Sequence, residues 1–224
     1  MSEWWTYTLQ DFLLFSPRTY YRLFELYNRD IWPAQIVTLG AGVAILPLLR
    51  RGGAGPGRVI AAILAGCWLW VAWGFLFQRY ATINWAATYF AAAFAVQALL
   101  LISTGVLRGR LEFGAADSAV GRAGLGIVLF ALVVQPLRGP RVGRDWVQAE
   151  IFGVAPDPTA LATLGILLLA ANRVRWEILL VPMSWCAVTG ATLWAMGAPD
   201  ALVLPVAALL TLSLAVRRTR SLRG

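Results

Sequence analysis

Apolar residues run along the chain in long blocks parted by short polar interruptions, without the strict alternation that marks a half-buried strand. Seven blocks stand out, at residues 31–49, 59–78, 83–107, 120–137, 158–172, 177–197 and 199–216. Most reach roughly 18 to 25 residues, the length a helix rising about 1.5 Å per residue needs to cross a hydrocarbon core of about 30 Å. The pattern predicts an all-α integral membrane protein, a seven-transmembrane-helix bundle over residues 31–216. The fifth block is the shortest continuous run. It spans only if Asp157 caps the helix, Pro158 takes the first position, and Arg173 and Arg175 snorkel at the far end. Six helices plus a re-entrant segment is the other reading.

Ahead of the first block lies "SPRTYYRLFELYN", residues 16–28, too polar to span and too aromatic for a loop. Ser16 followed by Pro17 reads as a helix start, a capping hydroxyl and then a residue whose missing N–H costs nothing there. At 100° per residue Tyr20, Phe24, Tyr27 and Ile31 share one face, while Arg18, Arg22, Glu25 and Arg29 share the other. This is the pattern of an interfacial amphipathic helix over 16–29, its aromatic face in the headgroup boundary, with Trp4, Trp5 and Tyr7 extending the anchor. Within a segment of residues 1–30 it orients the first span, or serves as a lid or partner-docking surface through Arg18 and Arg22.

Composition agrees with a bilayer environment: 59% of residues are hydrophobic and 13% charged, against about 25% charged in soluble domains. All 19 basic residues are arginine. With seven spans, twelve fall on one side and seven on the other, so the first side is expected to be cytoplasmic. That puts the N-terminus outside and residues 217–224 inside as a basic tail. Eight of the eleven acids fall on the outer side, so the formal +8 charge belongs to the inner face, which suits anionic lipid rather than nucleic acid. The start of the chain is acidic and lacks a basic n-region, so it is expected to be retained. The glycine-rich residues 50–58 read as a linker.

Absences narrow the chemistry. No histidine occurs, which removes imidazole relays and most zinc, copper or haem ligation. No lysine occurs either, so a retinal Schiff base is excluded. None of the acids falls in the central half of a predicted span, and Asp157 and Asp200 read as helix caps at the outer surface, which disfavours proton-coupled transport. Cys67 and Cys186 read as small core residues. No nucleophile elbow, phosphate loop or carboxylate pair on one helical face is present, so no enzyme activity, cofactor or metal site is expected.

Polar side chains instead gather in the outer halves of the spans. Gln35, Thr38, Asn84, Thr88, Gln135, Thr163 and Thr192 lie there, beside Arg79 and Arg138 at the rim and Trp70, Trp73, Trp85 and Trp194 at similar depth. Amides in hydrocarbon need partners, so they read either as contacts between helices under an aromatic belt or as an outward-facing cavity. The cavity would bind a small neutral, lipid-like or cationic ligand through Gln35, Trp73, Arg79, Asn84, Trp85, Thr88, Gln135 and Trp194. The connection from Arg138 to Ala160 would roof it, its three arginines balanced by Asp145, Glu150 and Asp157, with Arg144, Asp145 and Trp146 as the lid or partner residues. Small faces at Ala87, Ala91 and Ala95, and at Gly121, Gly124 and Gly126, suit close helix packing within the chain or between copies.

Two stretches, "FLLFSPRTYYRLFELYNRDIWP" and "FGVAPDPTALATLG", resemble signatures of a family of bacterial multi-pass inner-membrane proteins of unknown function. The resemblance implies a bacterial inner membrane and supplies no activity. The helix plan is similar in outline to the SWEET sugar transporters, but their proline–glutamine order is reversed here at Gln135–Pro136. The expected role is therefore a non-catalytic membrane-embedded partner or ligand-binding subunit, acting with a membrane protein or a second copy. An uncoupled transporter or channel is the alternative.

Overall fold

The structure, a computed structural model, describes residues 14–114 and 118–221. Trp4, Trp5 and Tyr7 lie outside the described residues. Helices make up nearly all of what is described: α1 Pro17–Asp30, α2 Ala34–Arg51, α3 Ala54–Trp70, α4 Ala87–Leu101, α5 Ala119–Leu129, α6 Gln135–Arg141, α7 Pro156–Leu168, α8 Trp176–Ala195 and α9 Val203–Ser221. Wider π turns carry α3 on through Val71–Phe77 and α4 through Ile102–Leu107, and Phe130–Val134 joins α5 to α6. Each of the seven apolar blocks thus finds a helical segment. Five of these, Ala34–Arg51, Ala54–Thr82, Ala87–Leu107, Ala119–Arg141 and Trp176–Ala195, are long and apolar enough to cross a membrane.

The other two depart from expectation. α7 has only 13 residues, about 20 Å of helix, and every one of them is buried. Ala155, not Asp157, occupies its N-cap, and Pro156 opens the first turn. α9 starts later than the seventh block and continues to Ser221, so Arg217, Arg218 and Arg220 belong to its last turns rather than to a separate tail. The reason is an anchor: Arg218 donates at 3.0 Å to the carbonyl oxygen of Leu168, the last residue of α7, and at 3.2 Å to that of Asn172 in the connection beyond it.

α7 is the axis of the molecule. α5 crosses it where Gly124 meets Gly165, so close that a Cβ on Gly165 would stand 2.6 Å from the Gly124 carbonyl oxygen. α3 reaches it through Trp68, whose indole donates to Thr163 at 2.9 Å, and α8 through Trp185 and Thr189. Of the other predicted small faces, Ala87 and Ala91 are buried, whereas a Cβ on Gly126 would meet nothing within 4 Å.

The chain must also enter that interior. Phe152, Val154 and Ala155 are buried ahead of α7, and Gly153, at φ +83°, lies so near Thr38 and Cys67 that a Cβ would stand 2.7 and 2.9 Å from them. Irregular backbone placed there needs hydrogen-bond partners, and α1 supplies them. Tyr27 donates its hydroxyl to the Val154 carbonyl at 3.1 Å, and Asn28 donates its amide to Val147 and Ala149 at 2.7 and 2.9 Å.

α1 begins as predicted, with Ser16 accepting from the Thr19 N–H and Pro17 in the first turn. Its aromatic face, however, packs on the protein rather than in a headgroup layer. Tyr20, Phe24 and Tyr27 are at most 4% exposed; Phe24 stacks on Phe75 with centroids 4.7 Å apart, and Tyr27 accepts from Trp70 at 2.9 Å. Arg18 and Arg22 stay exposed, and Glu25 bonds Arg22 and, at 2.9 Å, Arg29. At the opposite end of the bundle, backbone bridges from Gly53 to Phe113 and from Phe113 to Ala170 tie three connections together.

The crossing of α5 and α7 makes a matched test. Gly165→Val should lower stability by about 1–3 kcal/mol through overpacking, whereas Gly126→Ala should be neutral or stabilising by up to about 1 kcal/mol. Thermal unfolding of both variants in one detergent reads the difference, and equal effects would contradict the crossing.

Candidate functional site

The end of the bundle beneath α1 holds a closed ring of hydrogen bonds and ion pairs. Arg138, on α6, bonds the Asp200 carboxylate in the turn before α9, and that carboxylate also accepts from Arg144 at 3.2 Å. Arg144 stands 3.6 Å from Glu150, Glu150 accepts from Gln135 at 3.3 Å, and the Gln135 carbonyl accepts from Arg138. The side chains of Arg138, Arg144 and Asp200 are each 12% exposed, and Arg144 also lies 4.4 Å over the ring of Tyr21. Charges removed from water to this degree are tolerated when each has an oppositely charged or hydrogen-bonding partner.

Asp157 continues the ring inward. It is 2% exposed, and one of its oxygens accepts from the Trp185 indole at 2.8 Å and the Thr189 hydroxyl at 2.9 Å. Glu150 is close enough to interact with it directly. The expectation of a cap at the outer surface is corrected here: the short α7 begins partway along α8, so its first turn places a carboxylate beside the midpoint of a neighbouring helix. Tyr20 sits near both acids. Burial first, and then the charges of Asp157 and Glu150, push its phenol well above the usual range.

Beside the ring, under the end of α1, lies a cavity of about 430 Å³ lined by Asn28, Arg29, Trp32, Gln35, Trp146, Val147 and Ile151. Gln35 is 5% exposed. Its amide nitrogen donates to the Asn28 carbonyl at 2.7 Å, but its own carbonyl oxygen is buried without a partner among the described residues. A second cavity of about 340 Å³ runs between α2 and the α5–α6 segment, lined by aliphatic residues such as Leu39, Val43, Leu132 and Leu137, and it shares Ile151 with the first.

The residues expected to line one cavity are dispersed. Gln35 and Trp146 face the first cavity, and Gln135 and Arg144 belong to the ring. Arg79 pairs with Asp30 at 2.7 Å. Asn84 accepts from the Ala86 N–H at 3.1 Å, and Thr88 donates to the Trp85 carbonyl at 2.8 Å, so both complete a helix start. Trp73, Trp85 and Trp194 point outward, 63%, 66% and 60% exposed. Asp145 caps the short turn that carries Trp146.

Glu150, Asp157 and Asp200 were not among the expected site residues. The signal for Glu150 and Asp157 was the matched count of arginines and acids in one connection, which identified a salt-bridged loop but not the depth to which it sinks, whereas Asp200 read only as a helix cap. Among the described residues no three His, Cys, Asp or Glu side chains are grouped to hold a metal ion.

Taken together, these features define an all-helical protein in which apolar helices of membrane-spanning length enclose a short buried helix and a buried ion ring. The chain belongs to a family of unknown function, DUF6064, which it matches over residues 18–223. No curated protein and no solved structure matches it.

The ring predicts a sharp contrast between two aspartates. Asp200→Asn leaves Arg138 and Arg144 without their shared carboxylate and should cost about 3–5 kcal/mol. Asp30→Asn removes an exposed pair with Arg79 and should cost at most about 1 kcal/mol. Denaturation of the two variants in the same micelle measures both values.

Proposed function

We propose that this is a non-catalytic, multi-pass protein of a bacterial inner membrane that holds one lipid-like molecule in the cavity beneath α1. In this reading all seven helical blocks lie within the bilayer, with α1 outside and the arginine-rich end cytoplasmic. α7 enters from the outside and is shielded from lipid by its neighbours. Exposed apolar side chains on the five long helices, among them Val37, Val43, Val96, Leu99 and Leu180, support contact with hydrocarbon. The outward-pointing Trp73, Trp85 and Trp194 suit the interfacial belt.

The observation that carries the ligand is the pairing of the two cavities. One end is lined by Asn28, Gln35, Arg29 and two indoles; the other is an aliphatic cleft lined in part by the same Ile151. The polar end suits an occupant that carries hydroxyl or N–H groups in its head. Its hydrocarbon chain then lies along α2. α7 fills the bundle axis, so the geometry favours lateral binding over passage through the middle, and a partner or second copy would meet the exposed face of α1.

Two measurements test this. Native mass spectrometry of the full-length protein should find a retained amphiphile, reduced at least about fivefold in Gln35→Leu and in Trp146→Ala, each loss corresponding to about 1 kcal/mol or more. Wild-type protein without bound amphiphile, or variants that retain it fully, would reject the site. For orientation, Arg18→Cys should react with an impermeant maleimide in intact cells and Arg217→Cys only after permeabilisation, since Cys67 and Cys186 are buried. Reaction of both in intact cells would reject the proposed topology.

A further inference from the structure

Counting charge in the buried ring exposes an imbalance. Arg138 and Arg144 bring two positive charges, whereas Asp200, Glu150 and Asp157 would bring three negative ones if all were ionised. The acid left over is Asp157. Both guanidinium groups reach Asp200, and Arg144 also stands beside Glu150, but the donors that Asp157 meets, Trp185 and Thr189, are neutral. Tyr20 of α1, Tyr80 in the turn after Phe77 and Cys186 of α8 also lie near Asp157, and Tyr21 of α1 lies near Glu150. None of these four groups is a cation.

The hydrogen-bond inventory leads to the same place. The Trp185 indole and the Thr189 hydroxyl both donate to Oδ1 of Asp157, which fills the two acceptor positions of that oxygen. The Glu150 carboxyl lies within hydrogen-bonding reach of Asp157, and an ionised carboxylate can only accept. Two acceptors in contact, 8% and 2% exposed, repel each other unless a proton stands between them. A helix start ordinarily favours the anion. Here Pro156 and Pro158 remove two N–H groups from the first turn of α7.

We infer that Asp157 and Glu150 share one proton at neutral pH, Asp157 donating it to Glu150, and that this proton latches the buried loop ahead of α7 to α8. With it the network of two guanidinium groups and three acids is neutral. Its loss sets two buried carboxylates against each other, and the loop loosens from α8. Val147 and Ile151 belong both to that loop and to the cavity wall, so the wall loosens too. The latched form holds one more proton than the released form, so raising the pH favours release, by up to about tenfold per pH unit. The latch needs no occupant in the cavity and stands apart from what the cavity binds.

The test uses full-length protein in neutral detergent micelles. Infrared spectroscopy reads the carbonyl band of a protonated carboxylic acid, and hydrogen exchange reads the amides of residues 147–155. Wild type near neutral pH should show the band. Asp157→Asn should stay folded and lose the intensity of one such group, because its amide donates to Glu150 and accepts from Trp185 and Thr189 in place of the protonated acid. Glu150→Gln should lose the same intensity, because its amide donates to an ionised Asp157 and leaves two acids against two arginines. At alkaline pH the wild-type loop should exchange at least about tenfold faster than that of Asp157→Asn, and at mildly acidic pH within about twofold of it. Absence of the band from the wild type, its undiminished survival in either variant, or a ratio of loop exchange that does not change with pH would overturn the shared proton. Should Asp157→Asn fail to fold, Glu150→Gln supplies both the infrared comparison and the pH-insensitive reference for exchange.

Discussion

A helix with no polar face has to be enclosed on every side, and α7 is such a helix. Its 13 residues are all buried, so α3, α5, α8 and α9 are arranged by what they must cover. Glycine permits the closest approach, where Gly124 and Gly165 bring two backbones together. Indole and hydroxyl groups of neighbouring helices reach the few polar atoms that α7 brings with it. The dispersion and burial gained in this way depend on close fit rather than on any single strong contact.

Placing a short helix at the centre creates a polar problem at its start, and the rest of the α1 end follows from that problem. The chain has to descend through residues 149–155 before it can become helical, and its carbonyl groups go with it. Tyr27 and Asn28 accept the task of pairing them. The helix that carries these two side chains is thereby fixed across the end of the bundle. The ring of Gln135, Arg138, Arg144, Glu150 and Asp200 stands at the mouth of the same descent, joining α6, the loop and the α9 turn. It holds the loop where Asp157 can meet Trp185 and Thr189. The cavity beside it is bounded by Asn28, which fixes α1 to that loop, and by Gln35, which ties α2 to α1.

The two ends of the molecule differ in electrostatic completeness. Beneath α1, three carboxyl groups and two guanidinium groups meet in one connected network, in which each side chain has a partner although the Arg144 Nε is buried without one among the described residues. At the far end arginine predominates, and Arg218 is matched by main-chain carbonyls rather than by acids. Arg175 is matched only in part: it donates to the Arg110 carbonyl and lies 3.8 Å from the half-exposed Glu177, while the charges of Arg173 and Arg110 oppose its own.

Hydrophobic block length determined the helical class and the approximate segments, and the Ser16–Pro17 pair determined the N-cap, because these depend on local spacing and on the chemistry of adjacent residues. The aromatic face of α1 was equally legible from periodicity. What it would pack against was not, since a buried aromatic surface suits lipid and protein alike, and only the position of Phe75 and Trp70 decided between them. The polar residues show the same division. Gln35, Asn84 and Gln135 were legible as amides in need of partners, but whether they shared a void depended on where helix starts and loops fell in three dimensions. The depth of Asp157 was hidden for a related reason: it depends on how far the chain descends before α7 begins, which is set by the helices around it and not by the residues beside it in sequence.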